Sequence, residues 1–265
     1  MAAQIGFLGN GNMGYAILKG LIDKKSLSPQ ETAVYDVLPD IRKRAESLGS
    51  QICEDEIELV KSSEVILVAV KPQNAKPIFE RIGKAAEGKL LLSIVAGINV
   101  ASIKKALGTE NVRILRIMPN TPAMVGAGVF GLDAGSDATA EEKEKTEKWF
   151  SELGLVEWVS EDLFPVVTGL SGGGPAYVAL FIEALADGGV KYGLKRDAAL
   201  QIAAQTVLGS AKLILEGKEH PAVVKDKVCS PAGTTIEGVQ ALEDGAFRST
   251  VIKAVENATL KSLRL

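Results

Sequence analysis

The fold is decided near the start of the chain, where residues 5–14 read Ile5-Gly6-Phe7-Leu8-Gly9-Asn10-Gly11-Asn12-Met13-Gly14. The apolar run predicts a buried strand, and the pattern from Tyr15 to Lys24 predicts a helix directly after the turn. In this G-x-G-x-x-G spacing, Gly9 permits a tight turn, Gly11 lets a pyrophosphate approach the backbone, and Gly14 lets helix and strand pack closely. The free N–H groups at the helix start favour phosphate. The stretch therefore predicts a dinucleotide site in a first βα unit.

The following residues alternate between strand-like and helix-like segments. Val65–Val70 is a continuous apolar run, which is typical of a parallel strand covered on both faces. We expect a helix over Pro77–Ala86, an edge strand over Val129–Leu132, and a capping box at Thr139-Ala140-Glu141-Glu142 that opens a further helix. The alternation predicts an α/β fold with an N-terminal Rossmann-type, doubly wound parallel sheet and right-handed crossovers.

From Ser160 onward the strand pattern disappears, and the remaining segments predict helices. We therefore expect a dinucleotide-binding domain over residues 1–160 and an all-α C-terminal domain over residues 161–265. The segment Arg196–Glu216 is apolar around much of its circumference, so it must be buried. A partner subunit is one cover for it, and packing within its own chain is the other.

Composition narrows the class of protein. The chain has 265 residues, 46% of them hydrophobic, and a formal net charge of −3, with Lys and Arg dispersed among Asp and Glu. No basic surface for a nucleic-acid partner is expected. We expect no membrane partner, since no apolar run approaches the roughly 20 residues that span a bilayer. The start lacks a basic leader pattern, which favours the cytoplasm, and Cys53 and Cys229 are expected to be reduced thiols.

The choice of dinucleotide is left open by the residues after the second strand. Asp36 lies about 20 residues beyond the glycine turn, where a carboxylate accepts hydrogen bonds from the adenine-ribose 2′-hydroxyl; this favours NAD. Arg42, Lys43 and Arg44 follow closely and would attract a 2′-phosphate, or else form a solvated helix face. NADH and NADPH therefore both remain possible cofactors.

Further binding residues are expected where strands end, because an open α/β sheet binds ligands at its carboxyl edge. Pro72 forces Lys71 out of helical conformation and turns its backbone toward the crevice. Asn120 follows the sixth strand in a proline-rich loop, which is either a substrate contact or a structural turn. The predicted cofactor-binding residues are Gly9, Asn10, Gly11, Asn12, Met13, Asp36, Ala69, Val70, Lys71, Pro72, Ala96 and Gly97.

Two loops in the second half open helices. Gly172-Gly173-Gly174-Pro175 is a second glycine turn with proline suited to the first helical position. In Ser230–Glu237, Thr234 and Glu237 have the spacing of a capping box. The free N–H groups and hydroxyls of this loop form a pocket for a small carboxylate, unless they serve as capping groups alone.

The absence of an obvious base points to the reaction type. His220 precedes Pro221 and is expected at the surface, and the sequence has no Ser/His/Asp arrangement and no metal-ligand cluster. Oxidation of an alcohol usually needs a base to take the hydroxyl proton. Reduction of an imine has less need of one, because a protonated C=N bond is already electrophilic. The sequence therefore favours imine reduction.

Several longer stretches carry a family resemblance, namely Gly6–Gly14, Ala69–Pro72, Met118–Pro122, Thr168–Tyr177, Ala184–Val190, Ser230–Thr235 and Leu242–Arg248. On these motifs the chain resembles the pyrroline-5-carboxylate reductases over essentially its whole length. The last two stretches are the most specific, since generic Rossmann proteins lack them.

The resemblance implies an NAD(P)H-dependent oxidoreductase that delivers hydride to the C=N carbon of 1-pyrroline-5-carboxylate and forms L-proline. It implies that N–H groups around Gly233 and Thr234 hold the substrate carboxylate, and that the Thr235 hydroxyl, the catalytic group, hydrogen-bonds the ring nitrogen. The implied substrate-binding residues are Ser230, Gly233, Thr234, Thr235 and Asn120. Family members form homodimers through the helical domain, share a site between subunits, and often assemble into homodecamers.

The chain departs from the family pattern at three positions. Gly173 stands where serine is usual, Ala232 where glycine is usual, and Glu56 where many members have an asparagine that helps bind the cofactor. Ala232 would constrain its loop if the position needs a positive φ. Glu56 adds negative charge near the ribose.

Two other functions fit the same two-domain plan. A β-hydroxyacid dehydrogenase would carry a catalytic lysine after the second glycine turn, where this chain has residues 176–179 without a lysine. A non-catalytic dinucleotide-sensing protein would not need the loop at Ser230–Thr235.

Overall fold

The computed structural model describes residues 2–264 and divides into two compact units. The first runs to Gly172 and includes the residues from Ala258 onward, and the second covers Gly173–Asn257. The segment after Ser160 is helical but belongs to the first unit. Its Glu161 carboxylate explains why, because Oε1 accepts hydrogen bonds from Arg116 Nη1 at 2.8 Å and from the Val100 N–H at 2.7 Å.

The first unit is built on an eight-stranded sheet with the order β3-β2-β1-β4-β5-β6-β7-β8. The strands are β1 Ala3–Leu8, β2 Thr32–Tyr35, β3 Gln51–Ile52, β4 Ser63–Val68, β5 Leu90–Ser93, β6 Arg113–Pro119, β7 Gly128–Asp133 and β8 Gly154–Val159. Neighbouring strands are parallel except for the antiparallel pair β6 and β7. The predicted α/β fold is confirmed, with a mostly parallel sheet.

The prediction of an edge strand over Val129–Leu132 is wrong. That segment lies in β7, which pairs with β6 on one side and with β8 on the other. The pairing with β8 starts at two glycines, because a Cβ on Gly154 would lie 2.0 Å from the Gly128 carbonyl oxygen. Bare backbone at this point lets β8 join the sheet and become its edge.

The helices of the first unit are α1 Asn12–Asp23, α2 Pro39–Glu46, α3 Glu56–Ser62, α4 Pro72–Ile82, α5 Val100–Leu107, α6 Ala140–Ser151 and α7 Phe164–Val167, and a π-helical turn follows at Thr168–Gly172. The sequence placed the helix after β4 at Pro77, but α4 begins at Pro72 and contains Pro77. Proline is suited to the first helical position, and this outweighs the interior hydrogen bond that Pro77 cannot donate.

The central strands separate two apolar layers. Phe7 and Leu67 are fully buried in one layer, and the neighbouring Leu8 and Ile66 are buried in the other. Successive side chains of a strand point to opposite faces, so a strand covered on both faces is apolar throughout. The prediction made from the run Val65–Val70 is therefore confirmed.

The second unit consists of helices, which are α8 Gly174–Lys191, α9 Arg196–Gly217, α10 Pro221–Val228, α11 Thr234–Asp244 and α12 Phe247–Ser262, the last of which extends into the first unit. Helices α8 and α9 pack through small residues, with Ala186, Ala199 and Ala203 buried. The large apolar residues of α9 remain outside this contact, and Leu213 is 62% exposed. Packing within the chain therefore does not cover α9.

Two helical stretches, Glu161–Lys191 and Arg196–Gly217, are long and apolar enough to cross a membrane by length and composition alone. The expectation that no run approaches this length is wrong. Alanine and leucine keep the hydropathy of both stretches high although isolated charges interrupt them.

The predicted capping box of α6 is confirmed. The Glu142 N–H donates to Thr139 Oγ1 at 3.2 Å, and the Thr139 N–H donates to Glu142 Oε2 at 2.9 Å. Glu142 also pairs with Arg113 Nη2 at 2.7 Å, which ties the helix start to β6. The cap thus joins a local signal to a tertiary contact.

We expect Thr139→Ala to lower the free energy of unfolding by about 1 kcal/mol, because it removes the acceptor of the cap. The measurement is urea unfolding followed by circular dichroism. Thr139→Ser keeps the hydroxyl and is the control, expected to lie close to the parent. Equal stability of the alanine variant and the parent would contradict the cap's contribution.

Candidate active site

A cleft of about 580 Å³ lies at the carboxyl edge of the sheet. Strand β1 runs between β2 and β4 there, so the chain leaves the central strands in opposite directions and opens a crevice. The lining is Leu8, Gly9, Gly11, Tyr35, Asp36, Val37, Leu38, Ile41, Ala69, Val70, Lys71, Gln73, Asn74, Pro77, Ile78 and Arg81. It joins an apolar wall to a few charged side chains, as expected for a nucleotide cofactor.

The glycine turn after β1 is fixed by two close backbone contacts. Gly9 has a φ of +89°, and a Cβ there would lie 2.8 Å from the Ala69 carbonyl oxygen. A Cβ on Gly14 would lie 2.7 Å from the Gly9 carbonyl oxygen. Both glycines are therefore required by the protein's own packing.

Gly11 differs, because a Cβ on it would meet no described atom within 4 Å. It is the N-terminal cap residue of α1, and no side chain among residues 2–264 caps that helix. The space in front of Gly11 and the free N–H groups of α1 fit the pyrophosphate of a dinucleotide.

Asp36 is tied to the glycine turn. The Asn10 N–H donates to Asp36 Oδ2 at 2.8 Å, and the Leu38 N–H donates to Oδ1 at 3.0 Å. These bonds hold the carboxylate at the wall of the cleft beside the turn, where a ribose hydroxyl would donate to it.

Arg44 is a site residue that the sequence did not identify. Its Nη2 donates to the Asn10 carbonyl at 2.7 Å and to the Gly11 carbonyl at 3.3 Å. Its guanidinium lies 3.8 Å from the centre of the Tyr15 ring. Arg44 therefore supports the turn from α2 and is not part of a solvated face. No local pattern announces this contact, because the partners are far apart in the sequence.

The other predicted cofactor residues lie around this turn. Ala69, Val70 and Lys71 line the cleft, and Lys71 has the extended backbone (φ −65°, ψ 144°) that Pro72 imposes. The rest are outside the described lining, and their cofactor contacts stay predictions: Asn10 is fully buried, Asn12 begins α1, Met13 packs against the core, Pro72 begins α4, and Ala96 and Gly97 follow β5.

Glu56 is paired rather than free. It is the first residue of α3 and is nearly buried, and its carboxylate accepts a hydrogen bond from Arg81 Nε, whose side chain lines the cleft. The negative charge noted in the sequence is thus balanced by a cation 25 residues further along the chain.

Asn120 is buried and its amide is engaged on both sides. Its Oδ1 accepts from the Val129 N–H at 2.8 Å, and its Nδ2 donates to the Ser171 carbonyl at 3.1 Å. The side chain therefore joins the end of β6 to β7 and to the π-helical turn. Contact with substrate stays a prediction and would use the remaining amide hydrogen.

In the second unit, the loop before α11 leaves a helix start open. Gly233 is the cap residue, and no side chain among residues 2–264 caps α11, so the predicted capping box at Thr234 and Glu237 is wrong by one position. The Gly233 N–H donates to the Ser230 carbonyl at 3.0 Å. The N–H groups of Thr234 and Thr235 remain for a small anion.

The two departures in the helical unit have visible consequences. Ala232 has a φ of +54°, which is the left-handed region that favours glycine. Gly173 is the cap residue of α8, where a serine would supply a capping oxygen. His220 is exposed and caps α10, with Nδ1 accepting from the Ala222 N–H at 3.2 Å, in keeping with its expected surface position.

Comparison with known families gives two matches. Residues 161–265 match the model described as pyrroline-5-carboxylate reductase dimerisation, and residues 4–97 match the model described as NADP oxidoreductase, coenzyme F420-dependent. Among curated proteins, a pyrroline-5-carboxylate reductase from Synechocystis sp. is 45% identical over 100% of this chain and 99% of its own length. The reductase of that name from Escherichia coli is 40% identical over 100% and 99%.

Solved structures give the same result. The pyrroline-5-carboxylate reductase of Coxiella burnetii superposes with a TM-score of 0.92 at 34% identity, covering 99% of this chain and 98% of that one. The Plasmodium falciparum pyrroline carboxylate reductase, solved with NADP bound, gives a TM-score of 0.89 at 32% identity, covering 99% and 97%.

We expect Arg44→Met to weaken dinucleotide binding about tenfold, the scale of one hydrogen bond to a charged group. The variant keeps the length of the side chain but cannot donate to the carbonyls of Asn10 and Gly11. Binding is measured by the fluorescence of the bound dihydronicotinamide. Lys43→Met, on the exposed side of α2, is the matched control. Equal affinities for the two variants would rule out support of the turn by Arg44.

Proposed function

The chain belongs to the pyrroline-5-carboxylate reductase family, and from that membership we propose the residues with which it reduces 1-pyrroline-5-carboxylate to L-proline. The reaction adds a hydride from NADH or NADPH to the C=N carbon and leaves a proton on the ring nitrogen. The observation that carries our assignment of roles is the open start of α11 at Gly233, in a loop whose sequence matches the family.

The cofactor is assigned to the cleft beside the glycine turn. Gly11 and the N–H groups of α1 face the diphosphate, and Asp36 accepts from a ribose hydroxyl. Lys71 and the residues after β5 flank the nicotinamide end. When bound, NAD(P)H supplies the hydride; these residues orient it.

The substrate carboxylate is assigned to the N–H groups of Thr234 and Thr235. Gly233 has a different task, because its own N–H is bound to Ser230, and a Cβ on Gly233 would lie 2.2 Å from Ser230 Oγ. Glycine therefore allows the Ser230 loop to close against the helix start. A free carboxylate is favoured there by the positive end of the helix dipole.

Thr235 is assigned the catalytic role. It is half-buried, in the first turn of α11, so its hydroxyl lies close to the N–H groups that hold the carboxylate. A hydrogen bond from this hydroxyl to the ring nitrogen would orient the C=N bond and keep the nitrogen protonated as the carbon accepts hydride. An imine treated in this way needs no separate base.

The experiment for the function itself is direct. Purified protein is mixed with pyrroline-5-carboxylate and either NADH or NADPH, and the loss of dihydronicotinamide absorbance is followed together with the formation of proline. Turnover with at least one cofactor is expected. Consumption of neither would overturn the proposal.

We expect Thr235→Val to lower kcat/KM for pyrroline-5-carboxylate about 100-fold, the lower range for a positioned proton-transfer group. Valine keeps the branched shape and the backbone N–H, so cofactor affinity should stay close to that of the parent. Thr234→Val is the control and should cost much less, since no hydroxyl role is assigned to it. Similar losses in both variants would remove Thr235 from the catalytic role.

The protein is a homo-oligomer, as its match to a dimerisation model implies. We propose that residues 161–265 form the helical domain, that α9 lies in the dimer interface, and that dimers assemble further into decamers in the cytoplasm. The support is the exposed apolar surface of α9, where Ile202, Leu213 and Leu215 are each more than half exposed.

We expect Leu213→Glu to shift the protein toward the monomer, because a charge placed in an apolar interface loses its hydration without gaining a partner. The molar mass is measured by light scattering during gel filtration. Leu155→Glu alters a residue of similar exposure on β8 and is the control. A Leu213→Glu protein with the parent's mass would exclude this face of α9 from the interface.

A further inference from the structure

We propose that the adenosine end of the cleft, formed by Tyr35, Asp36 and Arg81, selects NADH over NADPH, and that Glu56 enforces this selection by holding Arg81. The inference rests on the proposed function, since it names which of two cofactors the reaction uses. NADPH differs from NADH by a phosphate on the adenine-ribose 2′-oxygen, so the selection depends on the charges near that oxygen.

The strand order places two carboxylates at this end. Asp36 follows β2 and Glu56 follows β3, and these parallel strands are neighbours on the same side of β1. Lys71 follows β4, on the other side of β1, which places it toward the pyrophosphate. Among the described residues that line the cleft, Arg81 is therefore the cation available at the adenosine end.

Arg44 does not supply a second cation for a 2′-phosphate. Its guanidinium donates to the carbonyls of Asn10 and Gly11 and stacks on Tyr15. A phosphate that recruited Arg44 would have to draw it from the turn that seats the pyrophosphate. The same cofactor would then lose at one end what it gained at the other.

Arg81 is held by a partner with little access to water. The Glu56 side chain is 11% exposed, whereas that of Arg81 is 53% exposed. If Arg81 turned to a phosphate, it would leave the Glu56 carboxylate buried without a counter-charge, which is strongly unfavourable. The charge of Glu56 also reaches the cleft wall, since burial first and Glu56 second raise the pKa of the Tyr35 hydroxyl.

A 2′-phosphate would therefore meet the free carboxylate of Asp36 and an arginine that is already neutralised. A 2′-hydroxyl would instead donate to Asp36 and would ask nothing of Arg81. The discrimination follows from this difference in charge, and it should be relieved by removing the charge of Glu56 while keeping its shape.

The test combines binding and kinetics. The two probes are 5′-AMP and 2′,5′-ADP, which differ only by the 2′-phosphate, with affinities measured by calorimetry; kcat/KM is measured with NADH and with NADPH. The parent should favour 5′-AMP and NADH by about tenfold or more. Glu56→Gln should shift both ratios toward the phosphorylated member by about tenfold, the scale of one charge-assisted hydrogen bond.

The controls separate charge at this site from general effects. Glu142→Gln removes the carboxylate of another arginine pair at a helix start, with a side-chain exposure of 19%, and should leave both ratios unchanged. Glu56→Gln combined with Arg81→Gln should lose the gain, because the freed guanidinium is its cause. A parent that binds 2′,5′-ADP as well as 5′-AMP, or a Glu56→Gln variant with the parent's ratios, would overturn the inference.

The outcome is distinguishable from failure of the proposed function. Absence of turnover with either cofactor would reject the reductase assignment, while the nucleotide affinities would still report on the selection. If circular dichroism shows that Glu56→Gln is unfolded, Arg81→Gln decides. It should weaken 2′,5′-ADP relative to 5′-AMP still further, and a relative gain in 2′,5′-ADP binding would overturn the inference.

Discussion

The close approach of the chain at the turn after β1 is the constraint on which the rest depends. Gly9 must take a positive φ beside Ala69, and Gly14 must pass the Gly9 carbonyl without a side chain. These contacts aim the start of α1 at the carboxyl edge of the sheet and leave the space before Gly11 open. Asp36 and Arg44 then fix the turn from two neighbouring elements, the carboxylate through N–H groups and the guanidinium through carbonyls. One short stretch of backbone thus receives opposite charges on its opposite polarities.

The sequence predicts those parts of the fold that depend on local chemistry. The run Val65–Val70 reveals a doubly covered strand because both faces of β4 are apolar, and Thr139 with Glu142 reveals a helix start because the cap closes within four residues. The helix after β4 is misplaced because Pro77 is a breaker in general yet is tolerated within α4. The position of β7 is also missed, because it depends on a pairing with β8 that no local pattern encodes.

The candidate site divides along the same line. Gly9, Gly11 and Asp36 can be predicted because their spacing along the chain fixes their task. Arg44 and Arg81 cannot, because each acts on a partner brought near only by the folded sheet. The loop before α11 is recognised as a helix opening, but its register is shifted by one residue, since Gly233 caps the helix without a side chain. That shift favours ligand binding, because it leaves the N–H groups of the first turn without a capping oxygen.

The exposed surface of α9 ties the endurance of the helical half to how much of the protein is present. Its small buried contact with α8 consists mainly of alanines, and the larger side chains gain shelter only when subunits meet. A dilute sample should then melt at a lower temperature than a concentrated one, because subunit association adds to the stability of the native chain by mass action. Newly made chains face the same condition, and their helical half reaches its full resistance to unfolding only after a sister chain has been found.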